Sequence, residues 1–248
     1  MSRRLVITGT GTEVGKTIVT AAIAALAAAE GASVTVVKPA QTGLEPGDES
    51  DMDVVRRLSG VTDVHELVRY DAPLAPASAA RLAGVSATGV MELAARIESL
   101  PVRDLLLVEG AGGLLVRLDD DGNTIAELAR LLDAEVLVVA APGLGTLNAT
   151  ALTTEALRSR GQSCAGIVIG AWPSEPGLAE RSNLTDLPAY SGAPLIGALP
   201  VGAGALIAHE FIEVARLSLA PDLGGTWQAP VHPTVRGRSD VRQTSRDE

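Results

Sequence analysis

A chain of 248 residues with 46% apolar composition can bury a substantial core, and its one cysteine, Cys164, excludes both an internal disulfide and a thiolate-built zinc site. Thirty acidic residues against twenty basic ones give a formal charge of −10, and Tyr70, Trp172, Tyr190, Phe211 and Trp227 are the only aromatics. That balance lacks the basic face and the stacking platforms of a nucleic-acid binder, so nucleic acid is not an expected partner.

In chain order, Leu5–Thr8 reads as a short buried strand running into a glycine-rich turn. An alanine-rich helix follows from about Lys16 to Glu30, and Gly31 is a natural stop. Ser33–Lys38 is β-branched and strand-like. Further strands are expected over 104–109, 135–140, 165–170 and 195–199. Helices are expected near 51–59, 88–99, 124–133, 147–160, 176–188 and 205–219. Near-continuous apolar strands separated by helices imply an α/β fold, a mostly parallel sheet with helices on both faces. The expected domain covers 1–219. From Ala220 the periodicity is lost, and 220–248 reads as a flexible tail with Trp227 the residue suited to dock back. No apolar run approaches the ~18–20 residues of a membrane span, and Leu5–Ile7 behind Arg3 and Arg4 is too short for a signal peptide. The expected address is the cytoplasm, with no membrane partner.

The first strand leads into Gly9-Thr10-Gly11-Thr12-Glu13-Val14-Gly15-Lys16-Thr17, where a helix begins. Small residues let backbone N–H groups turn toward an anion, and the helix start adds a positive end. Lys16 can reach the β- and γ-phosphates of a nucleoside triphosphate, and the Thr17 hydroxyl can sit on Mg²⁺. This makes the fold P-loop NTPase-like, although Gly9 lies one position farther from Gly15 than in the usual pattern. Of the twenty basic residues only Lys16 and Lys38 are lysine; the rest are arginine. A compact ammonium at two strand-associated positions points to charge placement that a planar guanidinium cannot supply.

Lys38 closes the second strand before Pro39-Ala40-Gln41-Thr42-Gly43, and is placed to neutralise a transferring phosphoryl group or an anionic substrate. Glu109 ends an apolar strand and enters Gly110-Ala111-Gly112-Gly113, where a carboxylate can hold Mg²⁺ directly or through water. Asp51 and Asp53 open a helix after a polar loop, and either can serve as an N-terminal capping acid. His65, His209 and His232 are scattered and read as ordinary histidines. Cys164 reads as a small buried hydrophobe, and Asp119–Gly122 as a solvated turn rather than a calcium loop.

Together these segments resemble the dethiobiotin synthetase family. The matching pieces are TGTGTEVGKT (8–17), KPAQTG (38–43), VEGAGG (108–113) and LGTLN (144–148), with a weaker YDAPLAPASAA (70–80). The longer phosphate loop is itself a mark of that family. The resemblance implies an ATP- and Mg²⁺-dependent ligase of biotin biosynthesis. Such an enzyme closes the ureido ring of dethiobiotin from 7,8-diaminononanoate (7,8-diaminopelargonate) and CO₂, releasing ADP and phosphate. It also implies Lys38 and Lys16 as catalytic residues, with Thr17, Asp51 and Glu109 at the metal. The nucleotide would be held by Glu13, Val14, Gly15, Lys16, Thr17, Ile18, Asp51, Glu109, Gly110, Ala111 and Gly112. On its base side stand Gly170, Ala171, Pro200, Val201 and Gly202. The substrate would meet Thr42 and, through a partner subunit of a homodimer, Leu144, Gly145, Thr146, Leu147 and Asn148. One departure stands out: family members commonly carry an Asn at the position of Gly170 to read adenine, so relaxed nucleotide choice is expected. The rival reading is a P-loop ATPase switch of the partition or scaffold type, for which no basic amphipathic tail is present.

Overall fold

The computed structural model describes residues 2–45 and 47–229. Seven strands form one parallel sheet: β1 (Arg3–Gly9), β2 (Val34–Lys38), β4 (Val64–Glu66), β6 (Leu105–Gly113), β7 (Glu135–Ala140), β8 (Cys164–Trp172) and β9 (Leu195–Pro200). Their order is β4-β2-β6-β1-β7-β8-β9. A separate two-strand parallel pair joins β3 (Gln41–Thr42) to β5 (Arg69–Tyr70). The helices are α1 (Lys16–Ala29), α2 (Asp51–Ser59), α3 (Pro76–Leu82), α4 (Val90–Glu98), α5 (Ile125–Leu131), α6 (Thr146–Ser159), α7 (Leu178–Ser191) and α8 (Ala208–Ser218).

Alternate strand residues serve two cores, which is why the strands are apolar throughout rather than every second residue. Leu5, Ile7, Val36, Leu107 and Leu137 pack with α1, α2 and α8 on one face. Val6, Val37, Val108, Val138 and Ile167 pack with α4, α5 and α7 on the other. Because all seven strands run the same way, Gly9, Lys38, Glu109 and Gly170 come out toward one edge. β1 lies between β6 and β7, where connections depart to both sides, and ligands collect outside such a switch point in open α/β sheets.

Three strands and one helix escape the sequence reading. β3, β4 and β5 have two or three residues each, too few to show a period. α3 starts at Pro76, whose fixed φ suits a first helical turn, yet the preceding proline-rich stretch reads as loop. Residues 203–205 form a 3₁₀ turn, so the last long helix begins at Ala208 rather than 205. Residues 220–227 fold back on the domain: Ala220 N–H donates to Ile196 O, Trp227 N–H donates to Leu219 O, and the Trp227 ring packs on the second core. The rest of the expected tail, 230–248, lies outside the described residues, as does His232. At the outer sheet edge Asp63 accepts from Thr35 and Arg103 and pairs with His65. Burial opposes its charge, but these bonds prevail and hold the carboxyl pKa down at about 2. His65 is thus occupied in a surface network.

Candidate active site

The loop between β1 and α1 takes its shape from its glycines. Gly15 has φ +94° and caps α1, and Glu13 holds the left-handed conformation at φ +59°. A side chain on Gly9 would lie 2.8 Å from both Gly11 O and Val14 Cγ2. The extra residue is thus accommodated in a tightly folded turn. Gly15 and Gly170 abut backbone to backbone. A Cβ on Gly15 would come within 2.6 Å of Gly170 O, and one on Gly170 within 2.0 Å of Val14 O. The position read as a lost base-reading Asn is therefore one where no side chain fits without moving the phosphate loop.

Four polar residues from four elements converge below this loop. Thr17 Oγ1, in the first turn of α1, lies 2.9 Å from Glu109 Oε1 and 3.1 Å from Asp51 Oδ1. Lys38 Nζ lies 2.5 Å from Asp51 Oδ2 and 2.8 Å from Glu109 Oε1, and donates to Gly110 O at 3.2 Å. Lys38 and Glu109 are buried, at 3% and 0% exposure. Burial disfavours the Lys38 ammonium, but Glu109 and Asp51 outweigh it and raise its pKa. Asp51 is held below the usual carboxylate range for the matching reason, Lys38 and Thr17 overcoming its own burial. Lys16 shifts the other way: burial and the neighbouring Lys38 lower its pKa. Its Nζ makes one bond, to Gly11 O at 3.1 Å.

The structure separates Asp51 from Asp53. Ser50 and Asp53 form a reciprocal capping box at the start of α2, so Asp53 serves the helix and Asp51 faces the cluster. The donor set suits a hard divalent cation: a hydroxyl and two carboxylates, with Glu109 Oε2 buried and unpartnered. Among the described residues no group of three or more His, Cys, Asp or Glu forms a cation cage.

Lys16, Thr17, Lys38, Thr42, Asp51, Glu109, Ala111 and Gly112 line one cleft of about 440 Å³. A second cleft of about 560 Å³ shares Thr12, Glu13, Thr42, Gly43, Ala111 and Gly112 with it and is walled by Pro73, Leu74, Ala75, Pro76 and Val116. The sequence reading met Pro73–Pro76 only within the weaker resembling stretch 70–80 and gave them no role. It also passed over buried Gln41, which lines the first cleft. An isolated amide and an apolar loop carry no spacing signature. Val201 N–H donates to Trp172 O, and Gly204 sits close against Ile18, so the 200–204 segment flanks the start of α1. Leu144–Asn148 stand apart. Gly145, at φ +93°, caps α6, Leu144 is 97% exposed, and neither cleft is lined by this segment. Asn183, buried on α7, donates to the carbonyls of Pro142 and Gly143 and fixes the loop from beneath.

A family model described as an AAA domain matches residues 3–204. The ATP-dependent dethiobiotin synthetase BioD of Frankia casuarinae is 62% identical over 226 residues, covering 91% of this chain and 95% of that protein. The chain belongs to the dethiobiotin synthetase family. Its BioD relative in Streptomyces avermitilis is 59% identical with the same coverage, and that of Mycobacterium avium is 54% identical over 85% of this chain and 92% of its own. Solved structures extend the likeness beyond the dethiobiotin synthetases. The septum site-determining protein MinD of Pyrococcus horikoshii, complexed with Mg-ADP, is similar at TM-score 0.56 and 17% identity, over 87% of this chain and 95% of that one. A ParA family ATPase of Chlorobium tepidum gives 0.53 at 13% identity, over 86% and 92%. At those identities the likeness shows the P-loop fold alone, so the partition-type switch shares this chain's architecture and nothing closer.

Proposed function

We propose that this dethiobiotin synthetase closes the ureido ring on 7,8-diaminononanoate with CO₂ and ATP, through the cluster of Lys16, Thr17, Lys38, Asp51 and Glu109 beneath the phosphate loop. The observation that carries the reading is the junction of two clefts. One is lined by Lys16, Lys38, Asp51 and Glu109; the other has an apolar wall of Pro73, Leu74, Ala75, Pro76 and Val116 suited to an aliphatic chain, and they meet at Thr12, Thr42 and Ala111. One substrate amine captures CO₂ as a carbamate, releasing a proton. A carbamate oxygen then takes the γ-phosphoryl group from ATP, ADP leaves, and the second amine attacks the carbamoyl carbon and expels phosphate.

The backbone N–H groups of residues 13–18 cradle the phosphates, and Lys16 neutralises charge between the β- and γ-groups. Lys16 and Lys38 bracket the transferring phosphoryl group, where positioned charge lowers the barrier. Thr17, Asp51 and Glu109 would hold Mg²⁺, which would supply charge neutralisation to the triphosphate. Thr42 orients the carbamate end of the substrate. Gly110–Gly112, Gly170, Ala171 and Pro200–Gly202 contribute backbone walls to the nucleotide site. The α6 start, Leu144–Asn148, accepts the substrate carboxylate of a partner subunit's site, because a helix N-terminus favours an anion. The setting proposed is cytoplasmic; among the described residues no helix is long and apolar enough to cross a membrane.

The decisive measurement is phosphate release from Mg·ATP with and without the diamine and bicarbonate. Release that requires both, one phosphate per dethiobiotin, is the expected outcome. Release indifferent to the diamine would overturn the ligase reading.

A further inference from the structure

All three donors of Lys38 have acceptors within the protein in the position it occupies. An ammonium has three N–H donors, and the acceptors around Nζ are Asp51 Oδ2 at 2.5 Å, Glu109 Oε1 at 2.8 Å and Gly110 O at 3.2 Å. A phosphoryl or carbamate oxygen can gain a bond from Lys38 only if one of these is given up. Lys16 differs, with one bond to Gly11 O and donors to spare. The two carboxylates that hold Lys38 are those that converge with the Thr17 hydroxyl on the proposed metal position.

We infer that Lys38 and a divalent cation compete for Asp51 and Glu109, so that the metal, by taking the carboxylates, frees Lys38 to turn toward the transferring group. The inference rests on the metal reading proposed above. Lys38 takes Asp51 Oδ2 and Glu109 Oε1, while Thr17 faces Asp51 Oδ1 and the same Glu109 Oε1. A metal ion beside Thr17 and the Lys38 ammonium would therefore meet at the fully buried Glu109, where two cations repel strongly and an unpaired carboxylate is costly. A parked Lys38 meets both conditions before the metal arrives. The arrangement makes the second catalytic cation available only in the metal-loaded site, which suppresses phosphoryl transfer to water in its absence.

Mn²⁺ binding to nucleotide-free protein, read from the free-ion paramagnetic resonance signal, tests this without turnover. Lys38→Met removes the competitor and is expected to bind Mn²⁺ at least about tenfold more tightly than the wild type. Adding Glu109→Gln to that variant is expected to abolish the gain. Equal affinity of wild type and Lys38→Met, with Glu109→Gln weakening both, would overturn the competition while leaving the metal site in place. Indifference to Glu109→Gln in either background would instead remove the metal reading and the inference with it. The wild-type chain offers a second test, because Lys16 and Lys38 are its only lysines. With ¹⁵N-lysine, two side-chain signals are expected, and the Lys38 signal should move as Mg²⁺ is titrated. A Lys38 signal that stays fixed while the metal site saturates would overturn the proposal.

Discussion

Gly170 stands where the end of β8 touches the phosphate loop, and its lack of a side chain has two consequences. The first is steric: with Val14 O 2.0 Å from where a Cβ would stand, Gly170→Ala must push the loop aside. Overpacking of this kind costs about 1–3 kcal/mol. Since the strain falls on the groups that cradle phosphate, ATP affinity is expected to drop by about tenfold or more in a titration by calorimetry. The second is recognition: a glycine presents no side chain to a base edge, so CTP and GTP are expected to compete closely with ATP at the same site. A preference for ATP of about a hundredfold, worth about 2.7 kcal/mol, would show that another residue reads the base. Legibility at this scale followed chemistry and rarity. Lys16 was readable from the glycine-rich loop that leads into it, and Lys38 and Glu109 because a charged residue closing an apolar run stands out. Asp51 and Asp53 were not separable by the helix-opening pattern; the resemblance favoured Asp51, and the Ser50–Asp53 bonds give the physical reason, with Asp53 in the cap and Asp51 facing the cluster.

That capping box shows how an element carries a site residue. Ser50 is buried and its hydroxyl accepts from Asp53 N–H, while Asp53 takes the Ser50 backbone N–H in return. The box fixes the first turn of α2 and with it the direction of Asp51, the first helical residue. Ser50→Ala is expected to cost about 1 kcal/mol of stability. For a domain of this size that lowers the melting midpoint by about 2–4 °C, measurable by calorimetry. A loss within error would mean that α2 is held by packing through Met52, Val55 and Leu58 alone. The long elements were legible because the long strands are near-continuous apolar runs, α2, α4 and α8 carry an apolar stripe, and α1 is an uninterrupted alanine-rich segment. β3, β4 and β5 were not, because two or three residues take their conformation from tertiary pairing rather than from local pattern. Of these short pieces β3 lines the clefts, through Gln41 and Thr42, and the apolar wall at Pro73–Pro76 follows β5 in the chain.

At the scale of the whole molecule, Lys16, Thr17, Lys38, Asp51 and Glu109 meet within one chain, and the α6 start lines neither cleft beside them. Strand order could not be read from sequence, because pairing partners are far apart along the chain; the resemblance, not the pattern, suggested a second subunit. The geometry within one chain is consistent with that division, since Leu144 projects almost fully into solvent from a loop anchored by Asn183. If Leu144–Asn148 serve the partner's site, two differently damaged chains can repair each other. Lys38→Met removes the phosphoryl side of its own site. Asn148→Asp is isosteric, exposed and compatible with a helix's first turn, yet sets a negative charge against the substrate carboxylate. Each variant alone is expected to be nearly inactive. After mixing under conditions that exchange subunits, about half of the dimers are hybrids, each with one undamaged site, so activity should return to about a quarter of wild type. Shared sites require that recovery. A mixture no more active than its components, with hybrid dimers demonstrated by native mass spectrometry, would place both residues in the same chain's site. The α6 start would then have to reach its own cleft by a movement of the 141–145 loop.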